Sequence, residues 1–202
     1  MDIQVSNLNE GYNQWEDLNS LVSSTGETLI SNLETNINNL KVHWIGSDAT
    51  VHINNLILVH DALVALISDA KSTTSDAGNK IIAIQEVRNA NGGGGSIGSP
   101  LPSTAPNSSS IAQCETTEEY YVDPSASSDY TMLEEECTSF STFINDFKAK
   151  KEALLQNWTA GANREQAVAN FNEFEGNAET YNKYLTEARD NLGIAVSNLN
   201  QL

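Results

Sequence analysis

Apolar residues recur at steps of three and four along four long stretches of this chain, the period of an α-helix buried along one side. The first stripe runs Leu8, Tyr12, Trp15, Leu18, Val22, Gly26, Leu29, Leu33, Ile37, Leu40 and predicts a helix from about Ser6 to Val42. Ser24-Thr25-Gly26-Glu27 reads as a capping box with a helix-weakening glycine, so a kink or break is expected there. The second helix is predicted from Ser47 or Asp48 to Ala90, and between Leu56 and Ile67 it is apolar on nearly every face. Such a helix must be covered on several sides, which makes Leu56, Val59, Leu63, Leu66 and Ile67 the expected interaction surface. A third helix is expected from near Asp129 to Asn157, with stripe Leu133, Cys137, Phe140, Ile144, Phe147, Leu154. The fourth runs from about Asn163 to Asn200, with stripe Ala167, Phe171, Phe174, Ala178, Tyr181, Leu185, Ala188, Leu192, Ala195, Leu199. Sustained steps of three and four specify coiled-coil-like packing at shallow angles.

Between the first and second stripes lies Trp44-Ile45-Gly46, and between the third and fourth lies Trp158-Thr159-Ala160-Gly161. A glycine tolerates the positive φ that reverses a chain, and a bulky indole fills the gap where two helix ends diverge. Trp44, Gly46, Trp158 and Gly161 therefore mark two corners. The domain reading is a helical hairpin over 1–90, a linker over 91–129 and a second hairpin over 130–202. The fold class is all-α, with the two hairpins packed as an elongated antiparallel four-helix bundle.

The linker supplies the orientation. Gly92 to Gly95, Ser96, Pro100, Pro102, Pro106 and Ser108 to Ser110 carry no periodicity and predict a flexible, partly extended segment. The Gly-Gly-Gly-Gly-Ser run reads equally as a natural linker or as a joint engineered between two chains. Hairpins packed with both corners at one end need only a few joining residues, whereas the antiparallel arrangement needs a return of roughly 40 to 60 Å. A coil of this length spans roughly 30 to 37 Å on average and stretches further, so antiparallel packing is expected.

Net charge is −17, and no Lys or Arg falls between Arg88 and Lys148 while nine acidic residues do. Such a surface repels phosphate backbones and anionic headgroups, so no nucleic-acid or membrane-surface role is expected. Met1-Asp2-Ile3-Gln4-Val5 has neither a basic nor an apolar region of a secretory signal. The apolar run Leu56–Leu66, interrupted by His60-Asp61, is too short to span a bilayer. Cys114 and Cys137 match no metal or redox spacing and are expected to be a free pair rather than a disulfide.

The sequence carries no arrangement that points to enzyme chemistry. His43, His52 and His60 are the only histidines, and no acidic or Cys set completes a tetrahedral metal site around them. His60 on the apolar stripe reads as a buried core residue, and its neighbour Asp61 is expected to face elsewhere. There is no nucleophile elbow, and the glycine run follows no strand. No cofactor, metal or catalytic residue is expected.

With two corners inside two helical frames, the chain resembles the WXG (Esx-like, early-secreted-antigen-like) family of type VII secretion. Trp44-Ile45-Gly46 fits its Trp-x-Gly turn, while Trp158-Thr159-Ala160-Gly161 departs by one inserted residue and makes the second half a degenerate copy. The resemblance covers about 1–90 and 130–202. It implies a non-enzymatic secretion substrate, or the carrier of another substrate, exported as a folded bundle and read at one end by the secretion ATPase. Another helical substrate, or the chain itself, would be a further partner. The implied location is secreted or cell-surface without a cleavable signal, and cytoplasmic before export. The family's Tyr-x-x-x-Asp/Glu export signal is absent from the fourth helix, where Leu185 and Ala188 follow Tyr181 and Tyr184. It is matched by Tyr130 and Glu134 at the start of the third. The alternative is a structural helical scaffold or adhesin-type module, in which the tryptophan corners have no special role.

Overall fold

A computed structural model describes residues 4–5, 7–96, 98–100 and 103–199. Helix makes up 79% of it, so the all-α expectation holds at the level of fold class. In chain order the elements are β1 (Gln4–Val5), α1 (Leu8–Ser20), a π-helical turn (Leu21–Thr25), α2 (Gly26–His43), β2 (Trp44–Ile45), α3 (Ser47–Ala90), β3 (Tyr121–Val122), α4 (Ala126–Asn157), β4 (Trp158–Ala160) and α5 (Ala162–Leu199). The expected helix limits Ser6 and Asn200, and Pro102 of the linker, lie outside the described residues.

Where a kink or break is expected around Ser24-Thr25-Gly26-Glu27, the regular α-helix is interrupted by a π segment, but the chain stays helical. The helix widens into the π turn and continues, with the Gly26 N–H reaching back to the Leu21 carbonyl. Ser24 does not cap a new helix; its hydroxyl donates to the Ser20 carbonyl one turn earlier at 2.7 Å. Serine and threonine hydroxyls that compete for backbone carbonyls weaken the regular ladder, and Ser20, Ser23, Ser24 and Thr25 cluster at this turn. The start of α3 at Ser47 is as predicted, and the start of α4 moves. Gly46 precedes α3, and its carbonyl accepts both the Thr50 N–H at 2.9 Å and the Thr50 hydroxyl at 3.0 Å. At α4 the capping residue is Asp123, whose carboxylate accepts the Ser125 N–H at 2.8 Å. The helix therefore starts at Ala126, ahead of the predicted Asp129.

The chain forms two compact units, each gathered from three stretches of sequence. The first comprises Met1–Gly26, Leu66–Pro106 and Phe143–Asn177. Its centre is Trp15, 1% exposed, whose indole N–H donates to the Thr74 carbonyl of α3 at 2.6 Å. A methyl group on Gly78 would fall 2.3 Å from the Trp15 ring, so this glycine exists for close approach. Gly26 plays the same part against Ile67, at 2.9 Å. Phe147 packs against Phe171 and Phe174 at centroid distances of 6.0 and 4.4 Å, and Lys151 pairs with Glu175 at 2.6 Å.

The second unit comprises Glu27–Ala65, Asn107–Thr142 and Ala178–Leu202. Its core holds Leu33, Ile37, Leu63, Leu133, Phe140 and Leu185, with Phe140 edge-on to Tyr181 at 4.6 Å. Glu136 is buried beside them, and one of its oxygens finds no hydrogen-bond partner among the described residues. Burial pushes its carboxyl from the ordinary 4.5 up to about 8, against a smaller opposing effect of the Asn32 hydrogen bond. Burial, with Glu136 nearby, likewise raises the Tyr181 hydroxyl well above its ordinary value.

From Asn107 on, the linker is hydrogen-bonded to the helix beside it. Asn107 donates to Glu27 at 3.4 Å, the Ser109 N–H to Glu34 at 3.1 Å, and Lys41 to the Ala112 carbonyl at 2.6 Å. Residues 107–112 therefore run extended along α2, in its own direction. Cys114 and Asn54 then exchange two hydrogen bonds, at 2.7 and 3.1 Å. Side-chain donors and acceptors on α2 and α3 tie the strap down, and composition alone does not reveal them. Cys114 and Cys137 are both free, and burial raises the Cys137 thiol to about 11.

Two corrections concern α3. Leu56, Val59, Leu63, Leu66 and Ile67, expected as an interaction surface, are all buried within the chain. Its own helices provide the cover that all-round apolarity demands. By length and composition α3 is also apolar enough to cross a membrane, because the apolar character extends past Leu66 and the His60-Asp61 pair is too little charge to interrupt it. Of its most apolar window 44% is buried inside the structure.

Two helix-interior glycines are predicted to respond oppositely to alanine. Gly176 has nothing within 4 Å of a new methyl group, so Gly176→Ala should stabilise by about 0.5 to 1 kcal/mol. Gly78→Ala drives a methyl into Trp15 and should destabilise by about 1 to 3 kcal/mol; urea unfolding followed by circular dichroism measures both. Glu136 predicts a pH effect. Below about 4.5 it is protonated in folded and unfolded chains alike; between 4.5 and about 8 only the folded chain keeps the proton, so stability falls as pH rises through that window. Glu136→Gln should flatten the decline and raise stability at pH 8 by on the order of a few kcal/mol.

Candidate functional site

The Trp44 corner is built by four neighbouring segments of the second unit. Trp44 and Ile45 leave the helical conformation as β2 and pair antiparallel with β3, Trp44 opposite Val122 and Ile45 opposite Tyr121. The Asp123 N–H extends the ladder to the His43 carbonyl at 2.7 Å. Gly46 then turns with φ of +147°, a conformation that costs a side chain about 1 to 2 kcal/mol. A methyl group there would also meet the Tyr120 ring at 3.0 Å. Glycine is thus required twice at this position.

Trp44 is 2% exposed, as expected for a residue that fills the corner. Its ring stacks on His52 at 5.6 Å and 20°, and its N–H finds no partner among the described residues. Burial lowers the His52 pKa, and Asp48, one turn earlier, opposes that less strongly. Beside Trp44, His43 Nδ1 lies 2.8 Å from the carboxylate of buried Asp129, whose carbonyl accepts from Asn36 at 2.6 Å. Sequence reading missed this tie. Asp129 reads only as the start of a helix and His43 as the residue just past one, and nothing in either local pattern points to a partner 86 residues away.

Tyr130 and Glu134 follow directly. Their side chains hydrogen-bond to one another one turn apart, and this, after burial, raises the tyrosine hydroxyl. Tyr130 also packs on Gly193, where a methyl group would lie 2.9 Å from its ring. Glu134 is exposed. The pair therefore sits on α4 next to the Asp129 that holds His43, and it belongs to the same unit as Trp44.

In the other unit, the Trp158 corner repeats the design with one more residue. β4 has three residues, Trp158–Ala160, and pairs antiparallel with β1 with an irregular register, Gln4 opposite Ala160 and Val5 opposite Trp158. The inserted residue is absorbed by a longer strand and a bulge. Gly161 turns with φ of +118°, and its carbonyl accepts the Glu165 N–H at 3.1 Å. Trp158 is 1% exposed and, like Trp44, has an indole N–H without a partner among the described residues. The side chain of Arg164 donates to its carbonyl.

Beside the Trp44 corner lies a pocket of about 450 Å³, lined by Trp44, Asp48, His52, Tyr120 and α5 residues from Asn191 to Asn198. Among these, the sequence marks only Trp44 as a candidate site residue. Among the described residues no three His, Cys, Asp or Glu side chains gather as a metal site. His60 is buried, but its Nδ1 lies 3.3 Å from Asp61 Oδ1, against the expectation that the two face apart. Both side chains are short enough at the contacting atoms to reach across one helical step. Asp61 is 64% exposed, so the contact is a rim pair rather than a buried dyad.

Gly46→Ala tests the corner. Positive φ and the Tyr120 contact together predict a loss of about 1 to 3 kcal/mol, readable as a lowered midpoint in denaturant, with a shift in the near-ultraviolet tryptophan signal. No protein-family model, no curated protein and no solved structure matches this chain.

Proposed function

We propose that the chain is a non-enzymatic substrate or substrate carrier of a type VII secretion system, and that it travels as a folded antiparallel bundle of two helical hairpins. The observation that carries this reading is the reciprocity of the corners. The strand at Trp44 pairs with residues that lead into α4, and the strand at Trp158 pairs with residues that lead toward α1. Hairpins laid head to tail put each turn beside the other's leading segment, and one chain then does what two paired hairpins do in the family it resembles. The strap running beside α2 in the same direction supports the same arrangement, since the linker then travels back along the first hairpin.

The end that the export ATPase reads is, in this proposal, the Trp44 corner with Tyr130 and Glu134. Supporting it, Asp129 joins His43 to the first turns of α4, so a tyrosine–acid pair and a Trp-x-Gly turn lie close along one hydrogen-bonded path. Trp44 itself is buried, so its part is to shape that end rather than to be touched.

Two measurements test the proposal. Trp44→Ala should leave helicity by circular dichroism nearly intact and remove the protein from culture supernatant while it accumulates in cells; undiminished export would end the role assigned to the corner. Spin labels at exposed positions beside Trp44 and Trp158 should be separated by roughly the length of a 32-residue helix, about 48 Å. A separation under about 25 Å would mean that both corners share one end.

A further inference from the structure

We propose that the pocket beside the Trp44 corner receives an arginine side chain from a basic segment of a protein partner; this rests on the reading of that corner as a recognised end. Its walls supply what a guanidinium group needs. Asp48 is exposed and contributes a carboxylate. Tyr120, 58% exposed, offers a ring face, and planar guanidinium lies flat on an aromatic face while still donating to a carboxylate, which a compact ammonium cannot do as well. Ile194, 64% exposed at the rim, gives the methylene stem an apolar surface. Asn198 adds an amide acceptor. Behind these, the stacked Trp44 and His52 form the inner wall.

No Lys or Arg lines the pocket, and burial favours the neutral form of His52, so no fixed positive charge competes with the guest. The surrounding unit reinforces this. Its only Lys and Arg residues are Lys41, Lys183 and Arg189, against fifteen Asp and Glu. Lys41 is held by the Ala112 carbonyl and Arg189 by Asp190. An acidic field of this kind draws a cationic partner and turns away acidic ones, including a second copy of this chain. Exposed apolar surface at Ile194, Tyr120 and Tyr121 favours a partner with a backbone to lay across the rim, rather than a free small cation.

The test is a titration of the ¹⁵N-labelled full chain with N-acetyl-arginine methylamide and, separately, with N-acetyl-norleucine methylamide, which keeps an apolar stem and lacks the guanidinium. The arginine amide should move the amide signals of the pocket residues in a saturable way, and the norleucine amide should not. Asp48→Asn should weaken binding about threefold to tenfold, and His52→Lys should abolish it. Equal response to both amides, no saturable shift with arginine, or an unchanged affinity in Asp48→Asn would overturn the proposal. Asp48 is exposed, so that variant should fold even if His52→Lys does not. The titration needs no secretion machinery. If it fails while export still depends on Trp44, the arginine pocket alone falls; if the pocket binds while export ignores Trp44, the export reading alone falls.

Discussion

A helix that stops in order to turn strands its last carbonyls and leaves the next helix's first N–H groups without partners. Both corners of this chain answer that demand in one way. The turn residues straighten into a short strand, a segment far away in sequence pairs with it, a glycine at positive φ re-aims the chain, and a buried indole fills the remaining space. The strand pairs are only two or three residues long and would not persist alone. They exist because the helices on either side deliver their partners, and they in turn fix where those partners begin. At Trp44 this chain of causes extends to the Asp123 cap, the start of α4 at Ala126 and the hold of Asp129 on His43.

The same demand for partners explains the segment between α3 and α4. A stretch rich in Gly, Pro and Ser would be free coil if nothing received it. Here α2 and α3 present Glu27, Glu34, Lys41 and Asn54 to its backbone and side chains. Tethering in this way costs chain entropy, which several partly exposed hydrogen bonds offset only together. The strap delivers β3 to the Trp44 strand and places Tyr120 over Gly46, so a low-complexity segment contributes both the second strand and one wall of the pocket.

What the sequence disclosed was whatever repeats at helical period or breaks it sharply. The stripes placed the long helices to within a few residues, and Trp44-Ile45-Gly46 and Trp158-Thr159-Ala160-Gly161 marked the turns. What it concealed depends on partners distant along the chain. Gly78 looks like an ordinary weak point until Trp15 is seen against it. Ser24-Thr25-Gly26-Glu27 has the letters of a cap, yet Gly26 is needed for the approach of Ile67 and the helix runs on through a π turn. Leu56, Val59, Leu63, Leu66 and Ile67 signalled burial correctly, but their letters do not say whether the cover comes from another protein or from the chain's own helices. The pocket was invisible for the same reason, since Asp48, His52, Tyr120 and Ile194 come from three separate stretches with no shared motif.

The fold therefore stands on the pairing of corner strands with distant segments. Its most direct test is a disulfide between facing positions, with Cys114 and Cys137 first replaced by alanine. Ile45 and Tyr121 face each other in the β2–β3 ladder, where antiparallel partners have Cα atoms about 4.5 to 5.5 Å apart, within disulfide reach. The double variant Ile45→Cys/Tyr121→Cys should oxidise to an intramolecular disulfide far faster in buffer than in denaturant, with helicity retained. Oxidation no faster than in the unfolded chain, or only between molecules, would contradict the account.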